Sequence, residues 1–417
     1  MAWSKNELLT GSSLISIHVF LGIALREIYL ESNIRNEILA PWILRINHLP
    51  TLEMAAFLTV YIGILQCAKF AYGNKVNYHK KYFLTTQNIE NISEKALWIC
   101  IFSALTFYFI AIIATFGSVS QFIAILSLRT SSEVAGFGYY SISLDLAIVS
   151  SVFLYTTHRL KKSRFNKVVA IHAMLIAIIV IVALQSGRGN LIQYLITLLI
   201  IRHLTERSIK SQWKLYLAMP IIVSIITIVG LSNRLAAQNN ISYDDAQSQV
   251  ENNLTANILA PFALVDHYMI AKEFTKVKGH DYGTQYLTRL LTPIPREFWK
   301  EKPVGYGLQI RQTFWGDSLG GIPPGYIGES YIAFGLPGVW VAAIILAILS
   351  FRLDSWFKSA MHREDILIGY ALITPFVAFY MIRGGIELAF MRITIIVLCF
   401  LFIKKVTTIK NTRNTTI

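Results

Sequence analysis

The chain has 417 residues, 54% of them hydrophobic and only 15% charged, with a formal net charge of +14 and a mean hydropathy of +0.51. Soluble chains carry roughly 25% charged residues, so this one lacks the polar surface to cover itself in water, and a water-soluble enzyme of this size is excluded. The basic residues sit in short connectors between apolar runs, where membrane topology accounts for them without invoking nucleic acid.

In chain order, the first apolar run covers 11–30. One lysine, Lys5, precedes it and no small-residue cleavage signature follows, so it reads as an uncleaved first span. Runs at 51–72, 96–117, 138–157, 168–185, 190–203 and 215–232 come next, and 326–350, 366–382 and 388–403 close the series. Each is continuously apolar and long enough to cross hydrocarbon as a helix, without the every-second-residue alternation of an outer-membrane barrel. The expected fold class is an all-α polytopic membrane protein of about ten transmembrane helices. Residues 1–232 hold the first seven, 233–325 form a large extracytoplasmic loop, and 326–417 hold the last three and a cytoplasmic tail. With the N-terminus inside, the inner connectors collect twenty-one Lys and Arg residues, whereas the short outer ones hold five: Arg35, Arg45, Arg129, Arg188 and Arg383. The positive-inside rule then puts both termini in the cytoplasm. Cys67, Cys100 and Cys399 all fall inside apolar runs, a pattern that implies neither a disulfide nor a metal.

The 233–325 segment is the one long outer connector. Ser242 and Asp245 have capping-box spacing, and Val250, Leu254, Ile258, Phe262, Val265 and Met269 follow at near-helical intervals, which predicts one helix bent at Pro261. Beyond residue 278 the composition turns to Gly, Pro, Trp, Tyr and Arg, and seven of the eleven prolines lie between Pro261 and Pro337. No internal repeat or pair of matching broken helices argues for an inverted-repeat transporter.

Candidate chemistry concentrates on the outer face. Arg188, Arg289, Arg296 and Arg383 all map there, and guanidinium groups meet phosphate oxygens in pairs and stay charged. Arg188, in Ser186–Asn190, and Arg383, before Gly384 and Gly385, lie in tight turns at the membrane boundary, where either lipid headgroups or a shared anionic ligand would pair them. Glu329 opens the eighth span, where it either caps a helix N-terminus or serves as a general base. His280 is a second candidate base, and Asp281 and Asp317 are further carboxylates in the same loop. No His, Asp or Glu spacing suggests a metal site, and no glycine loop suggests a nucleotide.

These features together resemble the bacterial O-antigen and oligosaccharide repeat-unit polymerases of the Wzy type. The matching patches are Gly187–Gly189, the stretch from Pro293 through Arg296 to Pro303, Gly328–Ser330 with Phe334 and Gly335, and Arg383 with Gly384. The likeness covers most of the chain in topology but only these patches in sequence. It implies a GT-C-like helical bundle in the bacterial inner membrane, with its active site on the periplasmic side. It also implies a metal- and nucleotide-independent glycosyltransferase without cofactors. Such an enzyme moves a growing glycan from one undecaprenyl diphosphate onto a sugar hydroxyl of the next undecaprenyl-diphosphate-linked oligosaccharide. In that reading Arg188, Arg289, Arg296 and Arg383 bind the diphosphate, and Glu329 or His280 accepts the proton. Trp299, Tyr306, Trp315 and Tyr326 would stack on sugars, and the partners would be the lipid bilayer and a chain-length regulator protein. An O-antigen ligase shares the layout and differs in its acceptor, and a non-enzymatic flippase of lipid-linked sugars is the other alternative. A flippase should carry charges around a central cavity, whereas the basic residues inside spans are Arg26, Lys69 and Arg392, with Arg202 at the inner end of its run.

Overall fold

In hydrocarbon an apolar segment that forms no closed barrel must bond its own N–H groups to its own C=O groups, and does so as a helix. The computed structural model describes residues 10–33, 50–73, 92–122, 137–161, 166–185, 189–205, 225, 228–233, 235–236, 241–253, 262–290, 299, 301, 303–316, 321–360 and 363–408. Among them 90% are helical and no strand occurs. Among the described residues, five helices are long and apolar enough to cross a membrane: Gly11–Glu31, Thr51–Ala71, Glu94–Phe116, Gly325–Ala360 and Glu364–Gly384. This is the architecture of a multi-pass α-helical membrane protein. The run predicted at 215–232 lies largely outside the described residues.

In chain order the elements are α1 (Gly11–Phe20), a π-helical turn (Leu21–Leu25), α2 (Arg26–Asn33), α3 (Thr51–Gly73), α4 (Glu94–Phe116), α5 (Phe137–Lys161), α6 (Asn166–Gln185) and α7 (Gly189–Thr205). Then come α8 (Tyr243–Asn252), α9 (Leu264–Lys278), α10 (Thr284–Leu290), α11 (Tyr306–Trp315) and α12 (Gly325–Ala360). The last are α13 (Glu364–Pro375), a second π-helical stretch (Phe376–Met381), α14 (Ile382–Gly384) and α15 (Ile386–Thr408). They pack as two compact units, one drawn from Met1–Lys80, Leu259–Ser355 and Phe376–Arg392, the other from Lys81–Ile258, Trp356–Pro375 and Ile393–Ile417.

The second unit shows its solvent directly. On α4, Leu97, Ile101, Leu105 and Ile112 are buried, while Ile99, Phe102, Phe107, Ile110 and Ile113 on the opposite face are exposed. A water-facing helix turns charged residues outward, so an outer face as apolar as the inner one is a lipid face. The polar residues of α5 turn inward or bond back to their own helix, as Ser150 does to Leu146 O, Thr156 to Val152 O and Thr157 to Phe153 O. Between α5, α6 and α7, the Tyr194 hydroxyl joins Ser151 Oγ at 3.0 Å and His172 Nδ1 at 2.7 Å.

In the first unit the charges within spans find partners. Lys69 reaches Asp354 at 3.3 Å and Ser12 Oγ at 3.0 Å. Asp354 in turn accepts from the Ser12 N–H and hydroxyl, tying α1 to α12. The helix expected over 242–269 is divided. Ser242 does cap α8, accepting from Asp245 N at 3.1 Å, but α9 starts afresh at Leu264 after Ala263 leaves helical geometry (φ −75°, ψ 48°). Pro261 lies outside the described residues. α12 is also broken, because Gly335 takes φ 66° and ψ −151°, a conformation that only glycine adopts cheaply. The break frees the carbonyls of the preceding turn. The 280–282 loop satisfies them: His280 Nδ1 donates to Tyr331 O at 3.0 Å, Asp281 N to Ile332 O at 3.3 Å and Tyr282 N to Ala333 O at 3.0 Å.

Candidate functional site

The candidate site is built where four segments of the first unit meet. The π-helical turn at Leu21–Leu25 packs against α9, and the second π-helical stretch packs against α1; such turns recur at functional sites. Gly22 sits beneath Leu264, with the space its Cβ would need already taken. This close approach brings Arg26 of α2 onto Asp266 of α9. The guanidinium bonds the carboxylate with two donors, Nε to Oδ2 at 2.8 Å and Nη2 to Oδ1 at 2.9 Å, and the side chains are 2% and 0% exposed. A fully buried pair survives only with such fork geometry, because each lone charge is costly out of water.

Two buried imidazoles belong to the same segments, His18 to α1 and His267 to α9 beside the pair. His18 packs its ring between Phe262 and Phe379, with centroids 5.3 and 4.9 Å away. His267 follows Asp266 directly and is buried. Neither His18 nitrogen, nor His267 Nδ1, bonds to another described residue. Arg383, at the Ile382–Gly384 turn, bears electrostatically on both rings. The start of α12 closes the ring of segments: the point where a Cβ on Gly325 would stand is 3.3 Å from Arg383 O and 3.6 Å from His267 Nδ1.

Glu329 completes the arrangement. It is 2% exposed, and its Oε2 accepts from Ile386 N at 2.7 Å. It therefore caps α15, a helix 57 residues further along the chain, and not the start of its own. Gly385, at φ 89°, makes the fit: any Cβ there would strike the Glu329 carboxylate. Glu329 is thus brought to the turn that carries Arg383, which lies two residues before Gly385.

His280 stands elsewhere. It is tied to the far end of the first α12 segment, and about 16 Å of helical rise along α9 separates His267 from Lys278. Asp281 is likewise a loop clamp, accepting from Gly283 N at 3.0 Å, Gln285 N at 3.2 Å and the Tyr306 hydroxyl. Tyr326 is buried, with its hydroxyl on Ala342 O at 3.2 Å, and so has no face to offer a sugar. Trp315 packs on the Phe274 and Tyr306 cluster with the Arg311 guanidinium 5.3 Å from its ring centroid. Arg188, Arg296 and Asp317 lie outside the described residues, as does the side chain of Arg289, whose backbone belongs to α10. The residues that sequence reading missed are His18, Asp266 and His267, with Arg26 noted there only as a charge within a span. An ionisable residue in a membrane span is the signal that marks Arg26.

Burial, then the Arg383 charge, holds the His267 imidazole down to about 4. Asp266 pulls it back and Arg26 adds to the lowering. Unfolded, the ring titrates near 6.5, so only the unfolded state takes up a proton as pH falls through that value. Stability is full above about pH 6.5 and declines toward pH 4, by roughly 3 kcal/mol at the limit. The unfolding temperature of the detergent-solubilised protein is expected to drop between about pH 7 and about pH 5, and to drop less in His267→Gln. Equal drops in both proteins would remove His267 from the account.

The fold and the site define a multi-pass α-helical membrane protein with a buried ionisable cluster inside one of its units. Comparison with protein-family models, with curated proteins and with solved structures finds no match to this chain.

Proposed function

We propose that the chain is a polymerase of undecaprenyl-diphosphate-linked oligosaccharide repeat units, built on a ten-span GT-C-like bundle with both termini in the cytoplasm and the site on the periplasmic side of the bacterial inner membrane. One observation carries the reading: a guanidinium, a carboxylate and two buried imidazoles from distant parts of the chain gather around the turn at Arg383. That is the equipment for a lipid diphosphate at a membrane boundary. Arg383 offers paired donors to phosphate oxygens, and His18 and His267 supply N–H donors in a region where water does not compete. Arg289 and Arg296, which follow α9 in the sequence, are assigned to the same anion in this reading on their sequence position alone.

The reaction is a displacement at the donor's first sugar. The bond from the anomeric carbon to the diphosphate oxygen breaks, and its electron pair leaves with undecaprenyl diphosphate. The acceptor hydroxyl oxygen forms the new glycosidic bond and gives its proton to the Glu329 carboxylate. Arg383 stabilises the charge that develops on the leaving diphosphate. The donor linkage supplies the driving force, so no nucleotide takes part. Position favours Glu329 over His280, since the base must lie within hydrogen-bond reach of a hydroxyl attacking next to the diphosphate.

The test is a reconstitution of the purified chain in proteoliposomes with lipid-linked repeat units extracted from cells that lack their own polymerase. A ladder of glycans still attached to lipid is expected. Units that cross the bilayer unchanged, or that transfer only to a lipid A core, would overturn the reading.

A further inference from the structure

A second polar feature lies at the other end of α9. A cavity of about 430 Å³ opens between the C-terminal turn of α9, the 279–283 loop with the start of α10, and α11, within the size range of small-molecule sites. Its floor is apolar, made by Phe274, Tyr306 and Ile332, which are all buried. Its walls carry the side chains of Gln285, Gln309, Gln312 and Thr313. The Gln309 amide donates to Val304 O at 2.7 Å and the Thr313 hydroxyl to Gln309 O at 2.8 Å, so these two present acceptor oxygens, while the Gln285 and Gln312 amides carry donors and acceptors together, as neighbouring sugar hydroxyls require. The two charged groups present, Lys278 and Asp281, are of opposite sign, and Asp281 is committed to Tyr306 and to two backbone N–H groups. The cavity is therefore polar without net charge, the converse of the Arg383 site.

We infer that this cavity is a subsite for uncharged sugar residues of the glycan, set apart from the linkage that reacts. The inference rests on the proposed polymerase reading for the identity of the glycan, but the cavity's chemistry stands on its own. About 16 Å of α9 lies between the two sites, so the sugar held here belongs to a part of the chain several residues from the lipid diphosphate. Contacts to such a remote part hold the substrate in register, and their energy is available for orienting the reacting end.

The test uses the full chain in detergent micelles with free glucose, galactose, mannose, N-acetylglucosamine and glucuronate as probes, read by saturation-transfer NMR. At least one neutral sugar is expected to bind. Gln285→Leu/Gln312→Leu should weaken that binding about tenfold, as expected for losing two hydrogen bonds, while inorganic pyrophosphate still binds. Thr313→Val is a milder change for the case in which the double variant does not fold, and it should weaken sugar binding in the same direction. Binding of glucuronate alone, no neutral sugar binding to the wild type, or unchanged binding in well-folded variants would each overturn the subsite. Sugar binding without polymerisation would leave the subsite standing and remove the polymerase reading; polymerisation without sugar binding would do the reverse.

Discussion

Arg26→Ala is expected to be the most destabilising single substitution in the first unit. It leaves the Asp266 carboxylate fully buried with no guanidinium, and breaking a buried pair in this way costs about 3–5 kcal/mol. Asp266→Ala should cost a similar amount by stranding Arg26. The double replacement Arg26→Met/Asp266→Leu should recover most of the loss, because two apolar side chains of similar volume carry no desolvation penalty. Unfolding of the purified protein in detergent, followed by tryptophan fluorescence, separates the cases. If each single variant were as stable as the double, the two side chains would not be coupled. Should the double variant fold well but lose polymerisation, the pair also serves the site by fixing His267 beside Arg383.

The largest expected effect on activity is at Glu329 and Arg383. Glu329→Gln keeps an acceptor oxygen for the Ile386 N–H, so the cap on α15 survives and the protein should melt near the wild-type temperature. It removes the group that takes the proton, and the rate should fall roughly 10²- to 10⁴-fold. If capping is the whole role of Glu329, the Gln variant should keep near-normal rates. Arg383→Lys preserves the charge and loses the fork. It should slow transfer by about 10²-fold or more, as removal of a single donor to a developing negative charge does. Initial rates of polymer formation at equal protein abundance measure both, and wild-type rates in either variant would remove that residue from the mechanism.

Much of the fold was legible because membrane helices announce themselves by composition. The runs at 11–30, 51–72, 96–117 and 326–350 fall on Gly11–Glu31, Thr51–Ala71, Glu94–Phe116 and Gly325–Ala360. What the sequence hid is long-range. Arg26 was visible as a charge in a span, but its partner is 240 residues away, and nothing local to Asp266 points to α2. From sequence, Glu329 reads either as a cap of the helix it opens or as a general base, whereas packing gives it the first N–H of α15, since Gly385 leaves just the room for a carboxylate. The division of the expected 242–269 helix at Ala263 also escaped periodicity, because α9 starts without a side-chain cap. Of the four arginines grouped by topology, only Arg383 has a described side chain, and its neighbours are histidines that lacked any motif.

The account turns on where a new unit enters the glycan. A short isotope-labelled polymer on undecaprenyl diphosphate, mixed with unlabelled single units and the reconstituted chain, gives the most direct answer by mass spectrometry of the products. The account predicts that the labelled glycan moves as a block to the end away from the lipid, with one undecaprenyl diphosphate released for each bond formed. Label that stays next to the lipid while the chain grows, or no lipid diphosphate release, would contradict it.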